Sequence, residues 1–177
     1  GVISLTLDGI PRISKAQKMD ALSSMSTCAG YRSVLTAAES LSKFVPEIFS
    51  AVGRMKPAKV LVVGTGVAGL QAVATAKRLG AIVHACDIRP DACEQSMSVG
   101  AKVVETGVPA DIAIGKGGYA NKLPDKWLVV ERENLRETIV DMDIIILSAL
   151  IPGKLAPIIV TEDMVKEMRP GSVIIDI

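Results

Sequence analysis

The sequence predicts an α/β fold: a doubly wound parallel sheet joined to part of a second domain. Three observations carry this. Short runs of branched apolar residues alternate with helical patterns after residue 58, a glycine-rich turn separates the first run from the first helix, and the segment before residue 58 includes one long helical pattern. Composition agrees. With 177 residues, 49% of them hydrophobic and 22% charged, the chain can bury one good core and part of another. Aromatics make up only 3%, and the abundant Ala, Val, Ile and Gly suit a parallel sheet under closely packed helices. A net charge of +1 implies neither a nucleic-acid partner nor an acidic membrane surface. Nothing at the N-terminus resembles a signal or transit peptide, and a chain opening on Gly1 reads as a piece of a longer one.

The first strand is Val60 to Val63. It opens the uncharged stretch VLVVGTGVAGLQAVATA, nearly long enough for a membrane helix, which needs roughly 17–25 residues. The order argues otherwise: strand, then Gly64, Gly66 and Gly69 at the spacing G-x-G-x-x-G, then the helix LQAVATAKRL. This is the context of the dinucleotide fingerprint of a Rossmann sheet. Gly64 lets the chain turn out of the strand, Gly66 leaves no side chain between backbone and pyrophosphate, and Gly69 lets the helix pack against the strand. The N–H groups of the helix's first turn, including those of Val67 and Ala68, then face the phosphates.

AIVHAC is the second strand, and Asp87 ends it eighteen residues after Gly69. A carboxylate there accepts hydrogen bonds from the adenosine ribose hydroxyls and repels a 2′-phosphate, so NAD is expected over NADP. Arg89, two residues on past Ile88, is the counter-signal, because an arginine in this place can serve a 2′-phosphate; an NADP-selective reductase is one alternative. Asp87 also fits a helix N-cap or a turn residue ahead of Pro90. His84, the only histidine, lies inside the apolar run and reads as a core or strand-end residue. Cys28, Cys86 and Cys93 form no C-x-x-C pair and leave an odd thiol, as in a reducing compartment. No metal site and no Ser-His-Asp triad are expected.

The alternation continues. DACEQSMSVG is a helix closed by Gly100, AKVVET a third strand, WLVVERENLRETIV a helix and MDIIILSAL a fourth strand. TEDMVKEMRPG is a short helix with Thr161 as N-cap, and SVIIDI is the fifth strand. A ligand crevice then lies at the carboxyl ends of the first and fourth strands. The turn SALIPGK would line it with Ala149 and Leu150, while Pro152 and Gly153 fit either a tight turn or a cofactor contact. Between the third and fourth strands, ETGVPADIAIGKGGYANKLPDK has low periodicity. Gly115, Gly117 and Gly118 give it freedom, and Tyr119 offers a ring to cover bound nucleotide, so residues 113–124 read as a lid or as a flexible surface linker.

Ahead of the sheet, SKAQKMDALSSMSTCAGYRSVLTAAESLSKF is a long helical pattern with an apolar stripe through Met19, Leu22 and Met25. Ser14 and Gln17 match a capping box. Gln17, Asp20 and Ser23 or Ser24 share one face beside Arg12, a polar cluster that faces either water or a nucleotide.

The stretches PRISKAQKMDALSSMSTCAGYRSVLTAA, GTGVAGLQAVATAKRLGA, DIRPDACEQ, GGYA, SALIPGK and MRPGSVIIDI together resemble the NAD(H)-binding domain, or alpha subunit, of proton-translocating nicotinamide nucleotide transhydrogenases, relatives of alanine dehydrogenase. The resemblance runs over nearly the whole chain. It implies that a loop with Arg12, Gln17 and Asp20 lies against the nicotinamide of NAD(H), that Ser23 meets its carboxamide, and that Gln17 reaches toward NADP(H) held on another domain. It implies Asp87 as the ribose-binding acid. It also implies a homodimer, partnership with an NADP-binding domain and a membrane domain, and hydride transfer coupled to proton translocation in the full enzyme. The chain would be a soluble domain of a membrane enzyme, on the cytoplasmic side in bacteria or at an organelle inner membrane in eukaryotes. Residues 1–57 would be part of a family-specific second domain, and 58–177 the NAD-binding domain, incomplete at its C-terminal end. The segment GKGGYANKLPDK keeps the family's GGYA but departs from it on either side. An alanine dehydrogenase-type oxidoreductase and a non-catalytic NAD(H)-binding redox sensor stay open as alternatives.

Overall fold

The computed structural model describes residues 1–10, 13–115, 120–151 and 154–177. Helix α1 (Ala21–Ser40) is followed by an antiparallel hairpin, β1 (Ile48–Ser50) with β2 (Gly53–Met55). The chain then alternates: β3 (Lys59–Val63), α2 (Val67–Arg78), β4 (Ile82–Cys86), α3 (Pro90–Ser98), β5 (Lys102–Val103), the single-turn α4 (Ala110–Ala113), α5 (Asp125–Val140), β6 (Ile144–Leu147), α6 (Glu162–Glu167) and β7 (Val173–Asp176). The last five strands form one parallel sheet in the order β5-β4-β3-β6-β7. This is the doubly wound sheet that the alternation predicts.

The period of two along each strand sorts the core into two layers. Val60 and Val62 of β3, Val83 and Ala85 of β4 and Ile144 and Ile146 of β6 pack with Val34 and Ala37 of α1 and with Ala72, Val73 and Ala76 of α2. Leu61 and Val63, with Cys86 and Ile145, face the other way onto Leu135 and Ile139 of α5 and Met164 of α6. Both faces are covered, so the central strands read as unbroken apolar runs. At their N-terminal ends Asp143 acts as a polar tie: its Oδ2 accepts hydrogen bonds from the Lys59 backbone N–H and the Lys43 ammonium, both at 2.8 Å.

Four expectations are corrected here. The long helix does not start at Ser14. Residues Ser14–Met19 wind as a 3-10 helix whose N-cap residue is Ile13, and no side chain caps it, so the Ser14–Gln17 box is not made. Asp20 starts α1 instead: Oδ1 accepts the Ser23 N–H at 2.9 Å and Oδ2 accepts the Ser23 hydroxyl at 2.7 Å. An aspartate bonded to the third N–H of a helix is a strong N-cap, and it wins over the upstream serine. The stripe Met19, Leu22 and Met25 is exposed, and the buried face of α1 is Gly30, Ser33, Val34 and Ala37. That face is made of small residues because α1 lies tight on α2: a Cβ at Gly30 would sit 2.0 Å from the Ala68 carbonyl oxygen. The third strand contracts to two residues at the sheet edge, and the loop before α5 contains the turn α4, entered from Pro109. The β1–β2 hairpin, with Phe49 and Val52 exposed, was not signalled by the sequence pattern.

Gly30→Ala gains about 1 kcal/mol of helix propensity yet loses more to overlap with the α2 backbone, for a net destabilisation of about 1–3 kcal/mol in urea unfolding. Ser24→Ala, at an exposed position of the same helix, stays within about 0.5 kcal/mol of the parent.

Candidate nucleotide-binding site

After β5 the chain crosses back over the sheet to place β6 beside β3. The connections leaving β3 and β6 therefore part in opposite directions, and a crevice opens at the carboxyl ends of these two strands. It measures about 840 Å³, within the range of small-molecule sites.

The floor is the glycine turn. Gly64 has φ +81°, and a Cβ on it would meet the Ala149 nitrogen at 2.7 Å. Its N–H donates to the Cys86 carbonyl at 2.9 Å, and its own carbonyl accepts the Ser148 hydroxyl at 2.6 Å. Gly69 is packed closer still, since a Cβ there would lie 1.9 Å from the Gly64 oxygen. Gly66 is the opposite case: nothing lies within 4 Å of the place a Cβ would take. It is the N-cap residue of α2, has no side chain to cap the helix, and lines the crevice with Val67 and Ala68. First-turn N–H groups have no acceptor inside their own helix, so this end suits an anion. The three glycines thus split into two that hold the turn and one that leaves room.

Asp87, at the end of β4, is the second anchor. Its side chain is only 5% exposed. Oδ2 accepts the Thr65 N–H at 2.8 Å, which ties the acid to the glycine turn. Oδ1 accepts the Arg89 N–H at 2.9 Å and its Nε–H at 3.0 Å, while Arg89 Nη2 donates to Oδ2 at 2.9 Å. Asp87 therefore shapes the turn and lines the crevice at once. The hydrogen bond to Asp87 raises the already high pKa of the Arg89 guanidinium. A 2′-phosphate would have to compete with Asp87 for that guanidinium, so the arginine works here as the acid's counter-ion.

Ile88, Ala149 and Leu150 line the crevice with these residues. Gln17, Asp20 and Ser23 do not; they sit at the N-terminal end of the helix whose Leu22, Ser26 and Ala29 form one wall. Asp20 and Ser23 are joined to each other as the α1 cap, and Gln17 is exposed. Arg12, Gly117, Gly118, Tyr119, Pro152 and Gly153 lie outside the described residues. Burial raises the pKa of the Cys86 and Cys93 thiols, and all three cysteines are free. His84 is pushed down by burial, then by Lys102 and Lys59. Among the described residues no helix is long and apolar enough to cross a membrane, and no cluster of His, Cys, Asp and Glu could hold a metal.

Sequence reasoning missed Glu131. It lies on α5, is 3% exposed and lines the crevice near Asp87. Burial, then the neighbouring Asp87 charge, raises its pKa to about 7. The signal was present: Leu128, Leu135 and Ile139 mark an apolar stripe on α5, and Glu131 interrupts it with a carboxyl.

Residues 33–177 match the family described as alanine dehydrogenase/PNT, C-terminal domain. The chain is 47% identical over 178 aligned residues to NAD(P) transhydrogenase subunit alpha of Cereibacter sphaeroides, a match covering 100% of this chain and 34% of that protein. Among solved structures it is similar to transhydrogenase from Sinorhizobium meliloti, with a TM-score of 0.80 and 42% identity over 96% of this chain and 44% of that one. It is also similar to an L-alanine dehydrogenase, with a TM-score of 0.66 and 27% identity over 88% of this chain and 38% of that one. The chain spans less than half the length of each of these relatives.

The two kinds of glycine separate by experiment. Gly66→Ala keeps its unfolding midpoint but binds NADH about fivefold or more weakly in a fluorescence titration, on the scale of one misfitted backbone contact of about 1 kcal/mol. Gly69→Ala loses stability first, by about 1–3 kcal/mol, because its methyl group overlaps backbone.

Proposed function

The chain belongs to the alanine dehydrogenase/PNT family, and from that premise we propose that it is the NAD(H)-binding part of a nicotinamide nucleotide transhydrogenase, passing hydride between NAD(H) in this crevice and NADP(H) held on another domain. One observation carries the reading: a single cavity joins the open Gly66 cradle at the start of α2 to the Asp87 carboxylate. The first is a place for a pyrophosphate and the second a place for ribose hydroxyls, the two fixed points of a dinucleotide. The higher identity to transhydrogenases than to the alanine dehydrogenase favours a second nucleotide over an amino acid as the reaction partner.

When bound, the nicotinamide ring supplies the hydride chemistry; the chain supplies grip and orientation. The N–H groups at the start of α2 hold the pyrophosphate. Asp87 holds the adenosine ribose and disfavours a 2′-phosphate. Leu22, Ala149 and Leu150 give the crevice apolar walls that exclude water. Transfer of hydride between two nicotinamides releases no substrate proton, so residues beside the rings need only position them. Asp20 and Ser23, fixed to each other at the start of α1, suit that task on the near side. Gln17, exposed on the preceding turn, suits contact with the second nucleotide. In this reading residues 1–57 belong to a second domain. The partners are an NADP-binding domain, a membrane domain that couples transfer to proton translocation, and a second copy of the chain.

NADH binds at least tenfold more tightly than NADPH, on the order of one charge-assisted hydrogen bond, and Asp87→Ser brings the two affinities to within about threefold. Titration of nicotinamide fluorescence measures both, and equal affinities in the parent chain remove Asp87 from this role. With an added NADP-binding domain, Gln17→Asn slows hydride transfer from NADH to an NADP analogue while NADH affinity stays within about twofold of the parent. NAD-dependent oxidation of L-alanine without such transfer would replace this reading by the dehydrogenase one.

A further inference from the structure

Asp87 and Glu131 face the same crevice, yet they are provided for differently. Asp87 has a bidentate arginine and two backbone donors. Glu131 has no hydrogen bond or ion pair among the described residues, although it is only 3% exposed and lines the cavity. The charged groups around it are few. From β4 and its end it faces Cys86 and Asp87, with Arg89 bound to Asp87. On α5 its neighbour Arg132 turns away to donate to the Ile158 carbonyl at 2.8 Å. Lys122 and Asp125 line the same cavity from the segment before α5 and from its first turn. Arg132 offsets this burial only in small part, so a carboxyl with no donor of its own here holds its proton to higher pH than an exposed one does.

We propose that Glu131 makes nucleotide binding proton-linked: the crevice takes up the adenosine end of a dinucleotide with Glu131 in its neutral form, and the ionised form binds more weakly. This inference rests on the nucleotide-binding reading above. The ligand brings a doubly negative pyrophosphate into a cavity where Arg89 already serves Asp87. It also displaces the water that solvates an ionised Glu131. Both effects favour the proton. A neutral carboxyl moreover offers one donor and one acceptor, the pair that a ribose or adenine edge can use, where the carboxylate offers acceptors alone. The sign follows from linkage. Below the titration of the free protein, at about 7, most molecules already hold the proton, and above it each binding event must take one up, so affinity falls as pH rises.

The test is calorimetric titration with NADH between pH 6.5 and 8.5, in two buffers of different ionisation enthalpy; NADH itself has no group that titrates there. The parent chain takes up close to one proton per NADH at pH 8.5, and its affinity falls about tenfold or more across the range. Glu131→Gln, an isostere of the neutral acid, takes up none and holds its affinity across the range, near the parent's value at pH 6.5. An unchanged slope and uptake in Glu131→Gln overturns the proposal, as does a folded Glu131→Gln that binds NADH at no pH. A parent chain that binds NADH with no uptake and a flat profile overturns it without any variant, and leaves the nucleotide site standing. A parent chain that binds NADH at no pH overturns both.

Discussion

Strand β3 has a neighbour on each edge and a layer of helices on each face. From Val60 to Val63 a polar side chain would be buried, and the sequence there is wholly apolar, while Lys59 at the amino end reaches out to pair with Asp141. Function is thereby confined to the strand's carboxyl end, where the cover stops. The same condition holds for β6 beside it, and these two ends supply the turns at Gly64 and at Ser148–Ala149 that floor the crevice. The place of the site is a consequence of how thoroughly the rest of the sheet is closed.

Within the crevice, backbone contacts do most of the placing. The Thr65 N–H bonds Asp87, the Gly64 N–H bonds Cys86, and the Thr65 hydroxyl lies 3.3 Å from the Ala92 carbonyl at the start of α3. The glycine turn and the Asp87 carboxylate are thus one hydrogen-bonded unit and hold a fixed spacing. The charges are arranged with the same economy: Asp87 is matched by Arg89, and burial holds the proton on Glu131 to higher pH than on an exposed glutamate.

Much of this was legible in the sequence because the signals are local. Gly64, Gly66 and Gly69 work through the backbone within a few residues, and the strands declare themselves by runs of Val and Ile. What failed depended on competition or on distance. Two capping signals stand six residues apart at the start of α1, and only packing shows that Asp20 prevails over Ser14. The apolar Met19, Leu22 and Met25 look like a core face, while the true face is a row of small residues fixed by contact with α2. Arg89 has two chemical readings until its geometry on Asp87 is seen. Glu131 is far from Asp87 along the chain, and no spacing rule joins them, though a carboxyl set in an apolar stripe was a clue.

The crossing of α1 over α2 rests on main chain against main chain: the space a side chain at Gly30 would need is filled by the Ala68 oxygen. At this point the distance from α1 to the first turn of α2 is set by main-chain contact and not by side-chain size. Volume-conserving exchanges among Val34, Ala72 and Val73 would leave the glycine turn at this joint in place. A joint of this kind passes the position of α1 directly to the start of α2, and so to the mouth of the crevice, through backbone alone.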